Sequence, residues 1–70
     1  KKGLLDLAAE LSERIRLRDP AFKENLWNLI RAYVAMGVQG RARQLLEEYL
    51  ELDPDSQRAR DLLGKLVEHV

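Results

Sequence analysis

The sequence has no cysteine, and only two prolines, four glycines and one tryptophan among its 70 residues. Without cysteine, neither a disulfide nor a thiolate metal site can form, so the fold must be held by its apolar core alone. Threonine is missing too, and the β-branched residues are limited to Ile15, Ile30, Val34, Val38, Val67 and Val70. That shortage argues against a sheet. No apolar run is long enough to span a bilayer, and no leader-like segment opens the chain. The expectation is a soluble protein, placed in the cytoplasm by default. An excess of either charge is also lacking: 12 Lys and Arg balance 12 Asp and Glu. That balance weighs against a nucleic-acid partner and offers no pull towards an anionic membrane.

Material for catalysis is equally scarce. His69 is the only histidine, and it stands where a helix end is expected to fray. Ser12 and Ser56 have no base at a telling spacing. Glu47, Glu48 and Glu51 cluster without any His or Cys nearby, which reads as a solvated helix face rather than a transition-metal site. No catalytic, cofactor-binding or metal-binding residue is expected, and the chain is read as non-enzymatic.

What is abundant is Leu, Ala, Arg and Glu, all good helix formers. Apolar residues at helical spacing predict an all-α fold of four helices, over about 3–18, 21–36, 41–52 and 56–69. The buried stripes are expected to be Leu4, Leu7, Ala8, Leu11 and Ile15; then Leu26, Leu29, Ile30 and Tyr33; then Ala42, Leu45, Leu46, Tyr49 and Leu50. In the last helix they are Ala59, Leu62, Leu63, Leu66 and Val67. Asp19-Pro20 stops the first helix, with Asp19 expected to cap the second and Pro20 to enter its first turn. Gly37 ends the second helix with a positive φ, and a turn over 37–40 leads to the third. Asp53-Pro54 is the next stop, with Asp55 or Ser56 as cap. The connections are a few residues long, so successive helices must pack antiparallel.

The two Asp-Pro pairs lie 34 residues apart. Shifting the chain by that distance also matches Gly3 with Gly37, Ala8 with Ala42, Leu11 with Leu45, Glu13 with Glu47, and Leu29 with Leu63. These identities fall on stops and on expected core positions, which is what an internal repeat requires.

Residues 23–54 resemble one complete tetratricopeptide repeat, through Leu26, Leu29-Ile30, Tyr33, Ala42, Leu46 and Pro54. Leu63-Gly64 is similar to the Leu-Gly pair of that family, with Val67 at the Tyr position. Half repeats flank the complete one, so the helix order is second, first, second, first. Ile30 stands where the family has a small Gly, and Tyr49 where a small residue receives the next repeat. Both departures imply wider helix spacing or an altered packing angle. The resemblance implies a right-handed helical-repeat (solenoid) fragment that acts as a protein–protein interaction scaffold.

By the same resemblance, Glu24, Trp27, Arg31 and Val34 form a strip facing the concave groove, and together with Asn28 they are the partner-binding candidates. Trp27 has a second reading, as core against the first or third helix. Asn28 sits where some members grip a peptide carboxylate. Only Arg58 and Lys65 offer basic help on the last helix, so Asn28 is expected to make a local inter-helix hydrogen bond instead.

Two rival functions stand beside the scaffold. A slice of a solenoid has two terminal faces that need covers or neighbours, so it could self-assemble as a homo-oligomer through its end helices, whether natural or engineered. A helix-turn-helix reader is the other, with Gly37-Val38-Gln39 as turn and Arg41, Arg43 and Gln44 meeting bases. The remaining charges are read as solvated surface, with Glu10–Arg14 and Asp61–Lys65 at favourable helical spacing.

Overall fold

The computed structural model describes residues 3–68, and within them every regular element is a helix. These are α1 (Leu4–Arg18), α2 (Lys23–Met36), α3 (Gln39–Leu52) and α4 (Gln57–Glu68). The expectation about His69 lies outside the described residues. Only sequential neighbours pack: α1 with α2, α2 with α3, α3 with α4. The Cα atoms extend over 34 × 28 × 14 Å. The last figure matches two helix layers, about 9 Å between axes plus a Cα radius of roughly 2.3 Å on each side. α1 and α3 form one layer, α2 and α4 the other.

The two Asp-Pro corners are the same structure made twice. Asp19 ends α1 at φ −141° and ψ 79°, and Asp53 ends α3 at φ −142° and ψ 79°. Their backbone N–H groups donate to the Ile15 and Tyr49 carbonyls, at 2.8 and 2.9 Å. Their carbonyls accept from Phe22 and Ser56, each at 3.2 Å. Both Asp residues thus close the preceding helix; Asp19 does not cap the next. Pro20 lies in the turn, and α2 begins at Lys23 behind Phe22, whose side chain cannot cap. The residue before a proline is pushed out of the helical region, and that places the stop at Asp19 itself. At the second corner Ser56 is the cap, its Oγ accepting from the Ala59 N–H at 3.3 Å.

Gly37 takes φ +80° and closes α2, with the Val38 N–H reaching back to the Tyr33 carbonyl at 2.9 Å. α3 then starts at Gln39, so this connection is shorter than the sequence suggests. Such a link leaves the chain no course but reversal.

The core is centred on the inner helices. Leu26, Leu29, Ile30 and Ala32 of α2 meet Ala42, Leu45, Leu46 and Tyr49 of α3 in one buried cluster. The outer helices add only Ala9 from α1 and Ala59 and Leu66 from α4. The stripe expected on α1 is therefore wrong. Leu4, Leu7 and Leu11 are 86%, 50% and 60% exposed, Ala8 is exposed, and Ile15 is only half-buried. α1 has a single neighbour, α2, and turns Ala9, Ser12 and Glu13 towards it. Val67 on α4 is likewise 51% exposed.

Ile30 and Tyr49 are both buried despite being larger than the residues they replace. Tyr49 stands between α2 and α4, and α3 approaches α4 less extensively than α2. No helix among the described residues is long and apolar enough to cross a membrane.

Candidate functional site

α2 and α4 share a layer without backbone contact. The gap between them is a cleft of about 560 Å³ lined by Trp27, Arg31, Val34 and Ala35 of α2 and by Arg58, Asp61, Leu62 and Lys65 of α4. Within each helix these residues recur at three- and four-residue steps, so they form one continuous stripe per helix. The floor is apolar, from Trp27, Val34, Ala35 and Leu62; the rim is charged.

Arg58 holds the cleft together. Its guanidinium lies 4.2 Å from the centre of the Trp27 ring, close enough for a cation–π contact. Its Nη2 donates to the Tyr49 hydroxyl at 3.3 Å and stands 3.8 Å from Glu24 Oε1. Trp27 in turn packs on Tyr49, ring centres 5.5 Å apart and tilted by 57°. Trp27 is accordingly both things the sequence allowed. One side of it packs against α3, and the other lines the cleft.

The remaining rim charges are not all committed. Asp61 accepts from Gln57 Nε2 at 2.9 Å rather than pairing with Lys65. Arg31 and Lys65 make no ion pair with any described residue. The cleft therefore presents two unclaimed cations above an apolar floor.

The strip read from the sequence is mostly brought together here. Trp27, Arg31 and Val34 line the cleft, and Glu24 borders it through Arg58. Asn28 does not. It is exposed and lines a separate shallow depression between α1 and α2, with Leu5, Ala8 and Ala32. The inter-helix amide bond expected of Asn28 is made by Asn25, whose Nδ2 donates to the Ser12 carbonyl at 2.9 Å. Asn28 lies about one turn further along α2, exposed beside that depression.

The α4 half of the cleft was missed by reading α2 alone. A signal for it did exist. Arg58, Asp61, Leu62 and Lys65 are the 34-residue counterparts of Glu24, Trp27, Asn28 and Arg31. Applying the repeat to the strip would have named all of them.

A second cross-helix cluster lies on the other layer. Arg16 of α1 grips Glu48 of α3 through both carboxylate oxygens, each at 2.7 Å. Glu13 accepts from Tyr33 at 3.1 Å and from Arg41 at 3.0 Å. The hydrogen bond that Arg41 donates to Glu13 holds the guanidinium pKa above its ordinary value, against a smaller opposing effect of burial. Arg41 also donates to Gln44 at 3.3 Å. Two of the three side chains that a helix-turn-helix reader would need are thus engaged with the protein itself.

In comparisons with known proteins, residues 1–66 match a family model described as tetratricopeptide repeat. No curated protein and no solved structure matches the chain.

Proposed function

Because the chain belongs to the tetratricopeptide repeat family, we propose that it holds a peptide or helix of another protein in the cleft between α2 and α4. Repeats of this kind are generally protein–protein interaction modules and typically non-catalytic. The observation that carries the reading is the state of Trp27. It is held between the Tyr49 ring and the Arg58 guanidinium, and its remaining half-buried surface lines the cleft beside the unclaimed Arg31 and Lys65. A large aromatic surface that is already immobilised loses little entropy on binding, and Trp with Arg is the pairing most enriched at binding hot spots. Trp27, Val34 and Leu62 would anchor an apolar side chain. Arg31 and Lys65 would favour a segment carrying Asp or Glu beside that anchor, and Glu24 keeps Arg58 in position.

Selection of peptides from a displayed random library tests this reading. The peptides recovered should combine an apolar anchor with acidic neighbours. They should lose at least about tenfold in affinity on Trp27→Ala or Arg31→Glu while circular dichroism stays helical. Peptides that bind both variants as tightly as the parent chain would sink the proposal.

A further inference from the structure

The cleft is built in rungs. α2 and α4 are each antiparallel to α3, so they run in the same direction, and residues 34 apart stand at the same height on either side of the gap. The lowest rung shows that such counterparts reach each other, for Glu24 Oε1 and Arg58 Nη2 are 3.8 Å apart. One turn higher, Trp27 faces Asp61, which is held by Gln57 at 2.9 Å. One turn higher again, Arg31 faces Lys65. Both are exposed, and neither pairs with an acid among the described residues. Opposite charges therefore close the cleft at one end. At the other, two like charges face each other beside Val34 and Leu62.

We propose that the Arg31–Lys65 rung holds the phosphate group of a phosphoserine in the bound segment. This rests on the cleft reading and sharpens it, from an acidic partner to a phosphorylated one. The carboxylate of an Asp or Glu brings one negative charge and leaves one of the two cations uncompensated. A phosphate monoester brings about −1.5 to −2 near pH 7, with three acceptor oxygens. The planar fork of Arg31 meets two of those oxygens, and the Lys65 ammonium supplies a point charge from the opposite wall. Arg58 is not available for this role, being committed to Trp27, Tyr49 and Glu24. The geometry also fixes a spacing. Four residues of helix separate Trp27 from Arg31, about 6 Å along the axis. An extended peptide covers that distance in two residues, at about 3.3 Å each. The pattern recognised is an apolar residue against Trp27 with phosphoserine two positions away.

Fluorescence anisotropy with a labelled peptide tests this, the peptide carrying Leu and phosphoserine two positions apart in an alanine background. Matched peptides carry Glu or Ser in place of the phosphoserine. The phosphopeptide should bind at least about tenfold more tightly than the Glu peptide. Arg31→Gln and Lys65→Gln should each remove most of that preference, with circular dichroism unchanged because both side chains are exposed. Lowering the pH from about 7.5 to about 5.5 should weaken the phosphopeptide about fourfold and leave the Glu peptide as it was, since only the phosphate titrates near pH 6. A Glu peptide that binds as tightly as the phosphopeptide, and loses affinity on Trp27→Ala, overturns this inference and leaves the cleft reading standing. Phosphopeptide binding that survives the double Arg31→Gln, Lys65→Gln change also overturns it. So does inorganic phosphate alone binding as tightly as the phosphopeptide, which would make the rung a site for free anions. Failure of all three peptides to bind overturns both readings.

Discussion

The guanidinium of Arg58 lies 4.2 Å from the centre of the Trp27 ring, joining two helices whose backbones do not touch. Such a contact ties the width of the cleft to one side-chain stack. Trp27→Ala should cost about 2–3 kcal/mol from lost burial against Tyr49 and should leave the chain helical at low temperature. Arg58→Ala should cost only about 0.5–1 kcal/mol, yet shift the Trp27 fluorescence as the ring becomes more hydrated. Urea titrations followed by fluorescence and circular dichroism check both. Equal losses for the two variants would mean that Arg58, rather than Tyr49, supplies most of the packing on Trp27.

The Arg16–Glu48 pair is two-pronged and, with Arg41–Glu13, joins α1 to α3, whose backbones do not touch. Glu48 is 45% exposed, so solvent screens the pair and its worth is small. Glu48→Ala should lower stability by about 1 kcal/mol, or roughly 4–8 °C in Tm for a domain of this size. That deficit should shrink as salt is raised. A salt-independent deficit would point to lost packing by the side-chain stems instead.

Two glycines should respond in opposite directions. Gly37→Ala forces an L-residue to φ +80° and should cost about 1 kcal/mol. Gly64 lies inside α4 with a negative φ and open space around it, so Gly64→Ala should be stabilising by up to about 1 kcal/mol. Thermal melts separate the two cases.

Leu29 and Leu11 look alike in the sequence but not in the fold. Leu29→Ala empties a fully buried site and should cost about 3 kcal/mol, enough to unfold much of a small domain. Leu11→Ala, at a site 60% exposed, should change stability by less than about 0.5 kcal/mol. Chemical denaturation reads both, and a large loss at Leu11 would place α1 differently on α2.

Asn25 carries the one buried polar side chain among the described residues, and its amide reaches the Ser12 carbonyl at 2.9 Å. Asn25→Ala should cost about 1–2 kcal/mol by leaving that carbonyl without its partner. Amide hydrogen exchange should then rise first in α1, the helix tied to the stack by this bond.

The helices and their stops were legible because they are decided locally. Proline expels its predecessor from the helical region, glycine accepts a positive φ, and alternating apolar steps mark a face. The cleft was half legible. Its α2 side followed from the repeat resemblance, and its α4 side was available only by carrying the strip forward by 34 residues. The Glu13, Arg16, Arg41 and Glu48 network was not legible at all. Its cross-helix partners stand 28 and 32 residues apart, at spacings that no helical pattern marks.

By itself, then, the sequence determined that this protein is a stack of antiparallel helices, where each helix ends, and that its corners repeat. Only the tertiary structure decided which face of each helix is inside. The stripe of Leu4, Leu7 and Leu11 is as apolar as that of Leu45 and Leu46, yet it faces outward and theirs is sealed. Periodicity reveals that a helix has an apolar face. Whether that face is buried depends on what packs against it, and α3 has neighbours on both sides where α1 has only α2.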